Sequence, residues 1–454
     1  MAVMTLAQAA VWCGGRVEKQ YESLTFSGAS NDSRTILPGQ LFVALVGVRD
    51  GNDFAPMAFE RGAAAVLTSR SDLPYPAIVV DDPRIALGQI AAGLRQQTGM
   101  KVVGVTGSVG KSTTKEMIAA TLEGDFLVSK TPANFNNDLG LPMAILAMEA
   151  DTQVAVLEMG MSHFGEISYL SHIARPDIGV ITNIGTMHME NLGSREGILQ
   201  AKLEICDAMA HDAPLCLYGD DTYLWGSREK LARPITYFGY ENSDCTVRAT
   251  NICQTAGQLR FDVRAGERCF PVTLPLEGQH FVSDALAAIS VALTLGVAPD
   301  RIADRLSRFQ NMAGRQEIFE VKGRTIIKDC YNAGPESMAA ALQVLGARPG
   351  RRIAVLGDML ELGSATVQAH LDTGRLAARC ADILLTYGPN GALVCRGAQE
   401  SGMDETMIFA FDDRTAMAEK LKEICVPGDV LLFKGSHGMH MELVLDQFLQ
   451  NSQR

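Results

Sequence analysis

Apolar residues fall into runs along this chain, and the character of the runs changes twice. Residues 101–107 (KVVGVTG), 152–160 (TQVAVLEMG) and 177–185 (DIGVITNIG) are nearly continuous in apolar residues and alternate with stretches of helical spacing. That pattern predicts parallel strands covered by helices on both faces. Over 245–276 polar and apolar positions alternate instead, as in 258–268 (QLRFDVRAGER), which predicts a small antiparallel region ahead of a helix over 283–295. From about 316 the continuous runs return as RTIIKDCY, RRIAVLGD, ADILLTYG, MIFAF and DVLLFKGS, the pattern of a second, Rossmann-like doubly wound domain. No G-x-G-x-x-G accompanies it, so a dinucleotide is not expected there.

Before residue 99 the elements are shorter. A helix is predicted in MAVMTLAQAAVWCGG, strands at 40–45, 64–67 and 77–80, and a helix over 85–97. The pattern as a whole predicts three α/β domains, 1–98, 99–315 and 316–454, with ligands in the clefts between them.

Composition narrows the classes of partner. A net charge of −12 argues against general nucleic-acid binding, which needs a basic face. The 10 cysteines form no C-x-x-C pair and no cluster with histidine, so neither a zinc site nor a disulfide framework is indicated. The N-terminus lacks a basic region ahead of an apolar one, and no apolar run is long enough to span a membrane. A soluble cytoplasmic protein is expected.

The chemistry is densest at 106–117, TGSVGKSTTKEM, entered from the first apolar run. A buried strand, a glycine-rich turn and a helix start make a phosphate-binding loop. Gly107, Ser108, Val109 and Gly110 would present backbone N–H groups to phosphate oxygens at the helix N-terminus. Lys111 would reach the β- and γ-phosphates, and Ser112 or Thr113 would hold Mg²⁺. The strict G-x-x-x-x-G-K-[ST] spacing needs glycine at 105, where this chain has valine.

Other residues sit where such a loop needs partners. Glu158 ends the 152–160 run, at the sheet edge where nucleotide-bound Mg²⁺ is held, or else faces solvent there. His188 and His163 follow strand ends and read equally well as structural histidines. Lys202, in GILQAKLEIC, reads by itself as a solvated helical lysine. Asn134, Asn136 and Asn137, in NFNNDLGLP, could orient a substrate or cap the following helix. Arg315 and Asp329 could contact phosphate and ribose, or form an ion pair between domains.

Taken together, TGSVGKSTTKEM, NFNNDLGLP, LEMGMSHFGEI, NIGTMHMENLGSREGILQAK, DCYNAGPESM, LGDMLELG and KGSHGMHME resemble the Mur ligases over the whole chain. NDSRTILPGQLFVAL and DGNDF are similar to that family's uridine-diphosphate-binding domain. The resemblance implies ATP-dependent amide formation in peptidoglycan precursor synthesis, through an acyl phosphate. LGDMLELG and KGS-x-x-M-x-M-E are similar to the branch that joins D-alanyl-D-alanine to UDP-N-acetylmuramoyl-tripeptide.

The resemblance also implies roles. Lys111 would bind the β/γ-phosphates; Ser112 or Thr113 with Glu158 would hold one Mg²⁺; His188 and a carbamylated Lys202 would serve a second. Arg315 would meet ATP phosphate and Asp329 the ribose. Ser33 and Arg34 would lie in the UDP segment, and Asn134, Asn137 and His163 near substrate. Asp284 stands where the family usually has an asparagine facing adenine, Gly334 where asparagine is usual and His437 where arginine is usual. A monomer without nucleic-acid or membrane partners is expected. Two other readings stay open: a sister ligase adding a single amino acid, and a P-loop phosphotransferase or nucleotide-binding module. The second needs neither His188 and Lys202 nor a UDP-binding domain.

Overall fold

A computed structural model describes residues 1–255 and 257–450. They divide into two compact units, the first made of Met1–Thr182, Gln200–Phe238 and Ala287–Ile302. The second holds Asn183–Leu199, Gly239–Leu286 and the described residues from Ala303 onward.

The first unit begins with a capping box. Thr5 accepts a hydrogen bond from the Gln8 N–H, the Gln8 side chain accepts from the Thr5 N–H, and the helix Leu6–Cys13 follows. It is preceded by a two-residue strand, Met4–Thr5, paired with Thr25–Phe26. A four-stranded parallel sheet runs in the order Ala29–Ser30, Leu41–Val43, Ala65–Thr68, Ala77–Val79. Ile36, Phe42, Ala55, Ala58 and Val66 form its core. The Pro83–Thr98 helix starts at the Asp82 cap and stops at Gly99, which takes the left-handed conformation at φ 63°.

The larger sheet of this unit has parallel strands in the order Val128–Lys130, Val154–Glu158, Lys101–Thr106, Ile178–Ile181, Leu215–Tyr218, Ile235–Gly239. Val102, Val103 and Val105 are fully buried, as are Val154–Leu157 and Val180–Ile181. Continuous burial is why these strands read as unbroken apolar runs. Val105 pairs with Glu158 on one side, and Thr106 with Ile181 on the other. This register brings the ends of both neighbouring strands level with the glycine-rich turn.

In the second unit, Val247–Thr255, Gln258–Ala265 and Arg268–Leu274 form the antiparallel meander expected from the alternation. The helix expected over 283–295 is His280–Thr294. A six-stranded sheet comes next, ordered Glu317–Val321, Arg324–Asp329, Val430–Lys434, Arg352–Gly357, Ile383–Tyr387, Ile408–Phe411. Five of these strands match the apolar runs. The sixth, Glu317–Val321, pairs antiparallel with Arg324–Asp329 and was not among the predicted strands. Its signal is an alternating EIFEV closed by Lys322 and Gly323, both at positive φ (51° and 73°), the geometry of a tight hairpin turn. Among the described residues no helix is long and apolar enough to cross a membrane.

Candidate nucleotide and metal site

The strand Lys101–Thr106 leads directly into Gly107–Gly110 and the helix Lys111–Leu122. Gly107 and Gly110 both have positive φ, 149° and 83°. Only glycine takes the first without strain. Space imposes the same choice: a Cβ on Gly107 would lie 1.8 Å from the Thr182 hydroxyl oxygen. That hydroxyl donates to the Val109 carbonyl at 2.6 Å, and the Thr182 N–H donates to the Thr106 carbonyl. The loop is thus pinned by the residue that ends the next strand. The Lys111 ammonium folds over it, donating to the Gly107 and Ser108 carbonyls at 2.8 and 3.1 Å. Ser108, Ser112 and Thr113 are buried. The result is a glycine turn that opens a 12-residue helix, with one long-armed cation folded over it.

Glu158 does not face solvent. Its residue is 2% exposed, and its carboxylate accepts from Ser112 Oγ at 2.6 Å and Asn136 Nδ2 at 2.9 Å. A hydroxyl and a carboxylate converging at the loop would suit a hard, oxygen-preferring cation such as Mg²⁺. Lys115 is fully buried beneath them; Nζ donates to the Thr131 carbonyl at 2.7 Å and lies 3.2 Å from Glu116 Oε1. Sequence reading passed over Lys115 and gave Asn136 only a substrate or capping role. The signal for Lys115 is its place three residues after Ser112, on the same helix face.

Lys202 is not solvated either, being 2% exposed in the last turn of the Arg195–Leu203 helix. Burial, and secondarily the positive charge of Lys111, push its pKa well below the ordinary lysine value. Its surroundings thus disfavour the protonated form relative to a lysine in water.

In the second unit, Asp329 at a strand end accepts from Lys434 Nζ at 2.6 Å and from the Gln316 N–H at 3.2 Å. Its ion pair is therefore with Lys434, a lysine in the KGS segment that sequence reading did not single out. The Arg315 guanidinium lies over the Tyr331 ring, 4.0 Å from its centroid. Asp284 is buried in the early part of the His280–Thr294 helix. His188 sits at φ 62°, with Nδ1 3.2 Å from Glu361 Oε2, so the LGDMLELG segment meets the histidine loop.

Ser436 ties three motif segments together at the carboxyl ends of adjacent strands. Its N–H donates to the Asp358 carbonyl, its Oγ accepts from the Leu360 N–H, and the hydroxyl donates to the Ala333 carbonyl. That edge is where open α/β sheets take ligands. Gly334 has a local reason to be glycine, since a Cβ there would lie 2.9 Å from Met187 Cγ.

The remaining expected residues are engaged locally. Ser33 is buried against Met57, and Arg34 is exposed with a two-pronged ion pair to Asp32. That pairing holds the Asp32 carboxyl down at about 2. Asn134 is exposed; Asn137 Oδ1 accepts from the Leu139 and Gly140 N–H groups and so caps the Gly140–Leu146 helix. His163 is exposed and pairs with Glu166 at 3.1 Å.

Phosphate loop, buried carboxylate and parallel sheet together define an α/β protein of the nucleotide-binding class. Residues 105–292 match the Mur ligase middle domain, and residues 314–437 the Mur ligase, glutamate ligase domain. The UDP-N-acetylmuramoyl-tripeptide–D-alanyl-D-alanine ligase of Bacillus subtilis is 39% identical over 451 residues, 96% of each chain. The Escherichia coli enzyme of that name is 34% identical over 99% of each chain. Among solved structures, MurF from Acinetobacter baumannii superposes with a TM-score of 0.91, at 32% identity and 99% coverage of both chains. MurF ligase from Thermotoga maritima in complex with ADP gives 0.83, at 30% identity, covering 93% of this chain and 97% of that one. The chain belongs to the Mur ligase family.

Proposed function

We propose that this chain joins D-alanyl-D-alanine to UDP-N-acetylmuramoyl-tripeptide, with ATP hydrolysed to ADP and phosphate, in peptidoglycan precursor synthesis. It is an ATP-dependent amide ligase. The observation that carries the reading is a phosphate loop with Glu158 held at Ser112 and a buried lysine, Lys202, in the same unit. Relatives named for this reaction match over nearly the full length, and one such structure was solved with ADP.

A carboxylate is a poor electrophile at neutral pH, so it must be activated before an amine can attack. The tripeptide carboxylate oxygen attacks the γ-phosphorus, the bond to the bridging oxygen breaks, and ADP departs. The dipeptide amine nitrogen then attacks the acyl carbon; the C–O bond to phosphate breaks and the amine loses a proton. Lys111 follows charge onto the transferring phosphoryl group, and the backbone N–H groups of 107–110 hold the oxygens left on ADP. Ser112, with Thr113 beside it, and Glu158 are the proposed ligands of one Mg²⁺. His188 and a carbamylated Lys202 are proposed for a second, which screens the two anionic reactants when bound.

Arg315 and Asp329 are assigned to phosphate and ribose, Asp284 to the adenine side, and Ser33 and Arg34 to the UDP moiety. Asn134, Asn137 and His163 are assigned to the peptide substrate. Domains 1–98, 99–315 and 316–454 then hold the UDP substrate, ATP and the incoming amine. We place the enzyme in the cytoplasm as a monomer.

Purified protein with ATP, Mg²⁺, UDP-N-acetylmuramoyl-tripeptide and a panel of amines, read by product mass, tests the reading. D-Alanyl-D-alanine should be incorporated intact. Incorporation of D-glutamate or L-lysine instead would assign a sister ligase. Phosphate release with no amide product under any amine would sink the ligase reading.

A further inference from the structure

The buried cation beneath the phosphate loop has no part in the chemistry above. Lys115 is fully buried, with its side chain completely shielded, in the second turn of the Lys111–Leu122 helix. An ammonium is rarely placed so deep unless anions and hydrogen bonds surround it. Here Nζ donates to the Thr131 carbonyl at 2.7 Å, lies 3.2 Å from Glu116 Oε1 and 3.9 Å from Glu158 Oε2. Glu116 is shared with Lys130, which pairs with its other oxygen.

We propose that Lys115 is a positioning residue for the metal-binding carboxylate, and that it acts through both the charge and the loop of its neighbours. The spacing explains how. Ser112 and Lys115 lie three residues apart, so one helix face presents a hydroxyl and an ammonium to the same carboxylate oxygen. Thr131, held by the Lys115 ammonium, accepts in turn from the Glu158 N–H through its Oγ1 at 3.0 Å. The loop that starts at Thr131 carries Asn136, whose amide donates to Glu158 Oε1 at 2.9 Å. Lys115 therefore attracts one carboxylate oxygen electrostatically at 3.9 Å and supports the hold on the other through the Thr131–Asn136 loop. These contacts hold the Glu158 carboxylate toward Ser112 and the phosphate loop.

Two effects of removing this cation have opposite signs, which makes the inference testable. Loss of a positive charge 3.9 Å from Glu158 would by itself favour a second cation there. Loss of the orientation would weaken Mg²⁺ binding, and outer-shell partners of metal ligands typically control 10- to 100-fold in affinity. The proposal requires the second effect to win.

The inference rests on reading the loop as a Mg²⁺–nucleotide site, so the test reads that site separately from catalysis. Binding of a fluorescent ADP analogue is titrated with Mg²⁺, for the full-length wild type, Lys115→Met and Lys115→Gln. Glutamine keeps a donor for the Thr131 carbonyl without the charge, and remains informative if the methionine variant does not fold. The half-saturating Mg²⁺ concentration should rise about tenfold for methionine and by a smaller factor for glutamine. Analogue binding measured in EDTA should stay within about twofold of wild type. An unchanged or lowered Mg²⁺ requirement in the folded variants would overturn the role of Lys115. So would a loss in EDTA as large as the loss with Mg²⁺, since that marks a structural residue only. Wild-type binding indifferent to Mg²⁺ would instead overturn the underlying reading of the site.

Discussion

The Thr182 hydroxyl occupies the space that any side chain on Gly107 would need, and the same hydroxyl ties down the Val109 carbonyl at 2.6 Å. A residue on one strand end thus sets the shape of the loop on the next. Gly107→Ala should cost more than tenfold in affinity for a fluorescent ATP analogue, because both the 1.8 Å approach and the positive φ oppose it. Thr182→Val keeps the shape and loses the hydrogen bond, at about 1 kcal/mol of stability by denaturant titration. Near-normal nucleotide binding by the alanine variant would show that the loop is not clamped.

That clamp also marks where reading the chain stops. The loop itself was legible, because glycines, a lysine and a hydroxyl at fixed spacing have one common use. The strands were legible because burial on both faces leaves unbroken apolar runs. The contacts of Lys115, Lys434 and Asn136 were not, because their partners lie 16, 105 and 22 residues away and only the fold brings them together. Lys202 and Glu158 were legible as positions but not as environments. A lysine within a helix reads the same whether its face meets water or the interior. The Glu317–Val321 strand was hidden for another reason: it is half polar and lies on the sheet edge, so its alternation is short and weak.

Between Asn136 and Asn137, the structure separates two roles that look alike in one dimension. Asn136→Ala removes the amide that holds Glu158 and should raise the half-saturating Mg²⁺ for nucleotide binding several-fold. Asn137→Ala removes a helix cap and should lower stability by about 0.5–2 kcal/mol with little change in that Mg²⁺ requirement. Isothermal Mg²⁺ titration beside chemical denaturation separates them; equal effects in both assays would contradict the assignment.

Lys202→Ala should abolish most ligase activity while leaving affinity for the ATP analogue within about threefold, since the phosphate loop and Glu158 are untouched. Short carboxylates such as formate or acetate should restore part of the rate by supplying an anion at the position proposed for the Lys202 carbamate. An alanine variant with full activity would mean that Lys202 is buried for packing alone.

The same lysine makes a signed prediction about stability and pH. Its folded pKa lies well below the ordinary 10.5, so between the two values the unfolded chain binds a proton that the folded chain does not. Stability contributed by this site must rise with pH across that window and level off above about 10.5. In carbonate-free buffer, the difference in unfolding free energy between wild type and Lys202→Met should therefore shift toward the wild type as pH is raised from 7 to 10. Parallel curves across that range would mean that burial does not lower the Lys202 pKa.

The central claim is that the phosphate loop activates a carboxylate for attack by an amine. UDP-N-acetylmuramoyl-tripeptide carrying ¹⁸O in its acceptor carboxylate, incubated with the enzyme, ATP, Mg²⁺ and D-alanyl-D-alanine, reports on this directly. One ¹⁸O should pass from the carboxylate into inorganic phosphate for each amide formed, and the amide product should retain the other. Amide product accompanied by unlabelled phosphate would contradict the account.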